Sequence, residues 1–235
     1  MNLSADDLKG SLEAAGFRAR IVPVGRLRDL EHEIQALRRE IGIDPVLDRD
    51  YLSSFLFSSP ADLPHARSMI VVAAPQPQVD VTFQFRGNPV LLRIPPTYMH
   101  HTDGQVEKAL RKALKPAGCR SSRGHVPEKM LAVRSGLARY GKNNVSYVPE
   151  FGSFHRLAVF FSDFAVGEDI WKEETTLDRC GSCQACITAC PTGAIRNDRF
   201  LIRAERCLSF LNEMPGAFPD WIDPSWHNCL VGCMR

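Results

Sequence analysis

The cysteines of this sequence are concentrated in one stretch. All eight cysteines except Cys119 lie between Cys180 and Cys233. The first four follow the pattern C-x2-C-x2-C-x3-C-P, which ends at Pro191 and is typical of bacterial ferredoxins. Closely spaced thiolates can wrap a loop around one 4Fe–4S cluster, while the cysteine before the proline ligates the other cluster of a pair. The pattern therefore predicts iron–sulfur ligands at Cys180, Cys183, Cys186 and Cys190.

A second group of cysteines follows, at Cys207, Cys229 and Cys233. Together with Cys190 they supply the four thiolates that a second 4Fe–4S cluster needs. The first cluster then lacks a fourth cysteine, and the sequence ends at Arg235 within the cysteine-rich stretch. We therefore expect the natural protein to continue beyond Arg235 with the missing ligand. If Arg235 is its native end, one cluster has three ligands or an open iron site.

Two other uses of clustered cysteines fit this pattern less well. Zinc sites usually draw four ligands from two separated pairs, whereas four cysteines lie here within residues 180–190. Disulfides form in oxidising compartments, but the N-terminal residues MNLSADDLKG are acidic and amphipathic, unlike a secretory signal. We therefore expect a cytoplasmic protein whose cysteines serve metal or redox chemistry.

Helix and strand patterns interleave before the cysteine-rich stretch. Apolar residues at helical spacing, with plausible caps, predict helices over residues 4–15, 26–41, 44–57 (in part), 104–115 and 128–140. β-Branched or alternating runs predict strands over residues 18–24, 68–74, 145–148 and 157–161, and a hairpin over 81–94. Interleaving of this kind predicts an α/β (α+β) domain with a mixed or antiparallel sheet. We place it at residues 1–165, before a small ferredoxin-like two-cluster module at residues 166–235.

The charge balance limits the classes of partner. Lys and Arg number 29 and Asp and Glu number 27, for a net charge of +2. This balance gives no electrostatic case for an anionic membrane surface, and no apolar run approaches the length of a membrane span. We therefore expect no membrane partner, and the near-neutral charge argues weakly against a tRNA substrate.

Three motifs in a fixed order resemble the epoxyqueuosine reductase family. They are PEKMLAVRSGLARYGKNN at residues 127–144, CGSCQACITACPTGAI at 180–195 and ERCLSFLNE at 205–213. The resemblance implies an α/β domain related to flavin-reductase and reductive-dehalogenase folds, which binds cobalamin and receives electrons from a two-cluster module. Flavin is the alternative cofactor. The resemblance further implies that one cluster is held by Cys180, Cys183 and Cys186 and the other by Cys190, Cys207 and Cys233, with Cys229 extra to the family pattern.

The sequence departs from that family in one short stretch. Family members that reduce epoxyqueuosine carry an acidic residue several positions before the equivalent of Glu128. Here the preceding residues, CRSSRGHVP, contain no Asp or Glu, and Ser122 lies near the expected position. His125 is our candidate proton donor, because imidazole titrates near neutrality. The departure favours a paralogue over the queuosine enzyme itself.

Several residues outside the cysteine stretch are candidate cofactor ligands. A glycine after a helix lets the backbone turn, and Lys and Asn side chains offer hydrogen-bond donors. The structural alternatives are a helix cap, a simple turn or, for the proline-rich loop IPPTYMHHTDG, an ordinary surface loop. The candidates, supported in part by the resemblance, are Tyr98, Arg134, Gly141, Lys142, Asn143 and Ser153.

The leading interpretation is an iron–sulfur oxidoreductase that passes single electrons to a cofactor in the N-terminal domain. Cobalamin is the cofactor that the resemblance implies. We expect reduced ferredoxin or flavodoxin as electron donor, and a small molecule or a corrinoid protein as substrate. One alternative is a non-catalytic electron carrier, or a reductive activator, for a partner enzyme. Another is an epoxyqueuosine reductase acting on tRNA.

Overall fold

A four-stranded antiparallel sheet organises the N-terminal part of the chain. The computed structural model describes residues 3–40, 42–95, 101–198 and 201–234. The strands lie in the order β1-β2-β8-β5, and every pair in this sheet is antiparallel. Their bounds are Arg18–Pro23 for β1, Ser68–Pro75 for β2, Ser121–Arg123 for β5 and His155–Ser162 for β8. The predicted α/β class with an antiparallel sheet is confirmed.

Strand β2 is buried on both faces, as its continuous apolar run predicts. Successive side chains of a strand point to opposite faces, so one strand can contribute to two separate cores. The side chains of Met69, Val71 and Ala73 enter one apolar cluster, and those of Ile70, Val72 and Ala74 enter the other. The sheet is therefore the middle layer of a three-layer arrangement.

The described residues before the cysteine-rich module include five α-helices, four of which cover the sheet. Their bounds are Ala5–Ala14 for α1, Leu27–Glu40 for α2, Pro45–Asp50 for α3, His101–Leu114 for α4 and Glu128–Arg134 for α5. Apolar residues of α2 and α5, such as Leu30 and Leu131, cover one face. Residues of α1 and α4, such as Leu12 and Leu110, cover the other. Helix α1 begins at a capping box, in which Ser4 and Asp7 satisfy each other's backbone N–H.

Two small hairpins complete the first part of the chain. Strands β3 (Val79–Phe85) and β4 (Asn88–Ile94) pair antiparallel, and the connecting Arg86 and Gly87 both have positive φ, as a tight hairpin turn requires. Strands β6 (Arg139–Tyr140) and β7 (Ser146–Tyr147) form the second hairpin. None of the helices in the described ranges is long and apolar enough to cross a membrane.

The predicted helix over residues 128–140 was too long. Helix α5 ends at Arg134, and Gly136 follows with a φ of +72°. The N–H groups of Leu137 and Ala138 both donate hydrogen bonds to the carbonyl oxygen of Ala132, at 2.9 and 3.0 Å. This is the hydrogen-bonding pattern of a glycine-terminated helix. It frees the following residues to form β6, which carries the chain toward the cysteine-rich module. Pro127 lies immediately before the helix.

The cysteine-rich module consists of short helices and turns. Helices α6 (Ala185–Ala189) and α7 (Leu208–Glu213) are its longest elements, and the described part of residues 179–234 contains no strand. The module contacts the N-terminal part at several points. Tyr51 donates its hydroxyl hydrogen to Glu213 at 3.2 Å, and its ring lies 5.7 Å from that of Phe210. The division of the chain between residues 165 and 166 remains a prediction.

Candidate iron–sulfur and cofactor site

The first three predicted cluster ligands lie in one loop. Cys180 ends a 3-10 turn, Cys183 is exposed in the following loop, and Cys186 is in the first turn of α6. Burial raises the pKa of the Cys186 thiol, and the charges of Cys180 and Cys183 raise it further. The three sulfurs are therefore close enough to interact electrostatically. The backbone N–H of Ile187 also hydrogen-bonds to the Cys186 sulfur.

The structure also brings together the three later cysteines. Cys207 immediately precedes α7, and burial raises the pKa of its thiol, with an added contribution from Cys233. The pKa of Cys229 is raised for the same two reasons, burial first and Cys233 second. N–H groups of Ser209 and Phe210 point at the Cys207 sulfur. Hydrogen bonds of this kind stabilise thiolates and help to set the potential of a bound cluster.

Cys190 lies in a different environment from the other ligands. Burial alone would raise the pKa of its thiol. Hydrogen bonds from the Thr192 hydroxyl and from N–H groups of Ile195, Ala194 and Thr192 outweigh burial, so the pKa falls below its usual value. The Cys190 sulfur is 3.6 Å from the Thr192 hydroxyl oxygen. Cys190 is thus prepared to act as a thiolate, the form that binds iron.

These donor sets fit iron–sulfur clusters. Across the described ranges, no three His, Cys, Asp or Glu side chains converge as they would around a single metal ion. A 4Fe–4S cluster binds each thiolate at a separate iron corner, so its ligands need not meet at one point. Two groups of thiols with inward N–H donors meet that requirement.

Lys142 lies against the first cluster loop. Its ammonium group donates to the carbonyl oxygens of Cys183, at 3.0 Å, and Gly181, at 3.4 Å. It also lies 3.4 Å from the side-chain oxygen of Asn197. The residue was predicted as a cofactor ligand, and the structure places it where the N-terminal domain meets the cysteine-rich module.

Gly141 and Asn143 build the turn that presents Lys142. A Cβ atom at Gly141 would lie 2.5 Å from both the Asn143 side-chain oxygen and the ring of Tyr147. The same Asn143 oxygen accepts from the N–H of Val145 at 3.2 Å, and its amide group donates to the Tyr147 hydroxyl at 3.3 Å. These contacts leave no room for a side chain at Gly141, so the glycine allows the turn to close.

Two other predicted cofactor ligands, Arg134 and Ser153, belong to other segments of the chain. Arg134 is mostly buried, and its guanidinium group donates to Glu33 at 2.7 Å and to the carbonyl of Lys172 at 2.9 Å. These bonds join α5 to α2 and to the segment after β8. Ser153 is half-buried in the turn before β8. Tyr98 lies outside the described residues.

His125 is exposed beside the segment that follows α3. Its Nε2 atom lies 3.0 Å from the Ser54 hydroxyl, and its ring lies 5.5 Å from that of Phe55. Nearby in sequence, Ser122 donates to the carboxylate of Asp62 at 2.7 Å. The carboxylate of Asp62 thus contacts residues 119–127, which contain no Asp or Glu. Examination of the local sequence alone could not find it.

Glu128 is a titratable group that the sequence interpretation missed. It accepts a hydrogen bond from Arg123 at 3.0 Å. Arg123 also lies 3.7 Å from Asp103, which binds Arg156 at 2.8 Å. Burial raises the pKa of Glu128 to about 7, although Arg123 and Arg156 oppose the rise. Its position at the start of a helix was the only available signal, and that position is common for Glu.

The raised pKa of Glu128 predicts a pH-dependent contribution to stability. The folded pKa of about 7 exceeds the unfolded value of about 4.3, so the folded state binds more protons between these values. The contribution is full below the unfolded pKa and is lost as pH rises through the folded pKa. We expect the thermal unfolding temperature of Glu128→Gln to fall less steeply than that of the wild type as pH rises from 5 to 8. Glu107→Gln, at an exposed position on α4, is the control and should follow the wild type. Parallel curves for Glu128→Gln and wild type would contradict the assignment.

Lys129 faces the second cysteine group from α5. Its side chain is exposed, yet burial lowers the pKa of its ammonium group and the charge of Cys207 opposes that change. Its Nζ atom donates to the carbonyl of Asn144 at 3.1 Å and lies 3.4 Å from that residue's side-chain oxygen. Lys129 therefore lies within electrostatic range of Cys207, in contact with the turn between β6 and β7.

Comparison with known proteins agrees with this arrangement. Residues 179–235 match the 4Fe–4S double cluster binding domain. The chain is 37% identical over 110 residues to epoxyqueuosine reductase of Bacillus subtilis, and the match covers 47% of this chain and 27% of that protein. For the Escherichia coli enzyme the identity is 38% over 107 residues, covering 45% and 27%.

The chain is similar to epoxyqueuosine reductases. A structure of the Bacillus subtilis epoxyqueuosine reductase has a TM-score of 0.67 at 24% identity, with 97% of this chain and 62% of that one covered, and it supports the fold. An epoxyqueuosine reductase solved with an epoxyqueuosine-modified tRNA-Tyr stem loop has a TM-score of 0.57 at 26% identity, covering 88% and 63%. The chain thus spans less than two thirds of the epoxyqueuosine reductases it matches. The resemblance seen in the sequence motifs and the presence of a double-cluster domain are confirmed.

Proposed function

We propose that this protein is an iron–sulfur oxidoreductase in which two 4Fe–4S clusters pass electrons to a cofactor bound by the N-terminal domain. The observation that carries the proposal is the contact between the two parts of the chain at the cysteines. Lys142 holds the loop of Cys183, and Lys129 interacts electrostatically with Cys207. Both cysteine groups therefore lie next to the domain that would receive the electrons.

Cobalamin is the cofactor that we favour, and polar groups of α5 and of the turn between β6 and β7 would help to bind it. Bound cobalamin would supply a strongly reducing cobalt centre, which side chains cannot provide. The ammonium group of Lys129 and the side chain of Asn144 offer a charge and hydrogen-bonding groups suited to the phosphate and amides of a corrinoid. The protein's own part is to bind and orient, to keep cluster and cofactor near each other, and to exclude water.

Proton supply is the second part that we assign to side chains. His125 remains our proposed proton donor, because its ring is exposed and contacts the Ser54 hydroxyl. The Glu128 carboxyl, with a pKa of about 7, is a second group that can release a proton at neutral pH. The donor of electrons in this proposal is a reduced ferredoxin or flavodoxin, and the substrate is a small molecule or a corrinoid protein.

Anaerobic purification followed by cofactor addition tests the proposal. We expect the purified protein to contain iron and acid-labile sulfide, and added cob(II)alamin to change its absorption and EPR spectra when bound. Lys129→Gln should weaken that binding several-fold, because it removes the charge beside Asn144 and Cys207, whereas Lys108→Gln on the exposed face of α4 should not. Binding of flavin instead of cobalamin would change the cofactor assignment. Clusters with no binding of either cofactor would favour a non-catalytic electron carrier.

A second candidate function is epoxyqueuosine reduction on tRNA. Its support is the identity of 37–38% to two epoxyqueuosine reductases and the structural similarity to one solved with a tRNA stem loop. The Ser122–Asp62 pair would then provide a carboxylate near the stretch that lacks one. Incubation with an epoxyqueuosine-modified stem loop, cobalamin and a reductant decides the matter, with queuosine as the product that supports this function. A protein that binds cobalamin but neither binds nor converts the stem loop is a paralogue with another substrate.

A further inference from the structure

Lys142 is a cation in direct contact with the loop predicted to hold the first cluster. It extends from the turn between β6 and β7 in the N-terminal domain. Its two backbone acceptors, Gly181 and Cys183, lie 3.4 and 3.0 Å from its Nζ atom, and both belong to the loop that carries the first three cysteines. The lysine is 39 residues before Gly181 and 41 before Cys183 in sequence. The contact therefore exists only because the two parts of the chain pack together.

The surroundings of Lys142 contain no close carboxylate partner in the described contacts. Its third acceptor is the neutral side-chain oxygen of Asn197, at 3.4 Å, which Gln184 also approaches at 3.4 Å. All three acceptors are uncharged oxygens, so none of the contacts of Lys142 with the described residues is a salt bridge. The nearby acids pair with other cations, as Asp178 does with Arg139 at 2.7 Å. The charge of Lys142 is therefore directed at the cluster loop.

We propose that Lys142 is a positioning residue that holds the first cluster loop against the N-terminal domain and raises the reduction potential of the cluster bound there. This inference rests on the clusters of the proposed function. Reduction by one electron adds one negative charge to the cluster and moves no proton. A fixed positive charge nearby stabilises the reduced state more than the oxidised state, and net charge is one of the factors that set cluster potentials.

The contact also makes the position of the first cluster loop depend on the turn between β6 and β7. The turn that presents Lys142 depends on the close approach of Gly141 to Asn143 and Tyr147. Any ligand that moves this turn would change the distance between the ammonium group and the loop. The first cluster would then change potential in response to the state of the N-terminal domain, whereas the second has its own cation in Lys129.

Redox titration followed by EPR tests the proposal. The signal that survives in Cys207→Ser belongs to the first cluster, and the signal that survives in Cys186→Ser belongs to the second. We expect Lys142→Gln, which keeps a hydrogen-bond donor but loses the charge, to make reduction of the first cluster about tenfold less favourable, a shift of about 59 mV to more negative potential. Lys142→Arg keeps the charge and should remain near the wild-type potential. Lys129→Gln should shift the second cluster instead.

Asn197→Asp provides an independent variant in case Lys142→Gln does not retain its clusters. It keeps the lysine but places a carboxylate beside the ammonium group, so it should lower the potential of the same cluster. An unchanged first-cluster potential in Lys142→Gln would overturn the proposal. Where that variant loses its clusters, an unchanged potential in Asn197→Asp would do the same. Equal shifts in Lys142→Gln and Lys142→Arg would also overturn it. Absence of iron and sulfide from the wild-type protein would overturn the proposed function as well. Iron analysis of the wild type therefore distinguishes failure of the proposed function from failure of the role assigned to Lys142.

Discussion

Cys207→Ser is expected to remove about half of the bound iron and acid-labile sulfide, because thiolates hold each 4Fe–4S cluster and a serine hydroxyl is a poor substitute. Cys207 is half-buried, burial is the main cause of its raised pKa, and two N–H groups point at its sulfur. The loss should be confined to the cluster that Cys229 and Cys233 share with it. Iron and sulfide analysis per chain, with EPR of the reduced protein, measures the effect.

Two further variants make this result specific. Cys186→Ser should remove the other half of the iron, because Cys186 belongs to the group with Cys180 and Cys183. Cys119→Ser is the matched control. That half-buried cysteine packs against the core of α1 and α4, away from the module, and its replacement should leave the iron content unchanged. Full iron content in Cys207→Ser, or loss of iron in Cys119→Ser, would show that the ligand assignment is wrong.

Phe160→Ala is expected to give the largest loss of stability among single substitutions in the N-terminal domain. Phe160 lies on the central strand β8 with only 1% of its surface exposed, and it packs in the cluster formed with α1 and α4. Arg123 also lies over its ring at 5.2 Å. Removal of a buried phenylalanine side chain costs about 3–5 kcal/mol. In a domain of this size, that corresponds to a fall of about 6–20 °C in the thermal unfolding temperature.

The matched control for this substitution is Phe154→Ala. Phe154 lies just before the same strand but is 43% exposed. Substitutions at such positions usually change stability by no more than about 0.5 kcal/mol. Thermal unfolding of both variants under anaerobic conditions, with their clusters bound, gives the comparison. Equal unfolding temperatures would mean that the sheet is not packed on both faces.

Much of the fold could be predicted because its signals are local. The continuous apolar run at residues 68–74 can bury all of its side chains as a strand that is covered on both faces, and β2 is such a strand. The spacing of Leu27, Leu30 and Ile34 predicted one buried helical face, and these residues form the buried side of α2. The hairpin of β3 and β4 followed from a glycine between two alternating runs. In each case the pattern that predicts the element lies within a few residues along the chain.

The end of α5 could not be predicted from the same kind of signal. The apolar pattern continues through Leu137 and Ala138, so periodicity alone favoured a helix to residue 140. In the structure these two residues are buried against the core after the chain has already turned at Gly136. Burial in a turn and burial on a helix give the same apolar sequence, and only the packing distinguishes them.

Sequence by itself determined the double-cluster module, because iron–sulfur ligation needs thiols at short, fixed intervals and those intervals are visible in the chain. It also determined the α/β class and the resemblance to epoxyqueuosine reductases. Only the tertiary structure decided that Lys142 touches the first cluster loop, that Lys129 faces Cys207, and that burial raises the pKa of Glu128 to about 7. These properties depend on Coulomb interactions and on burial among groups that are distant in sequence. Such groups come close to one another only when the chain has folded.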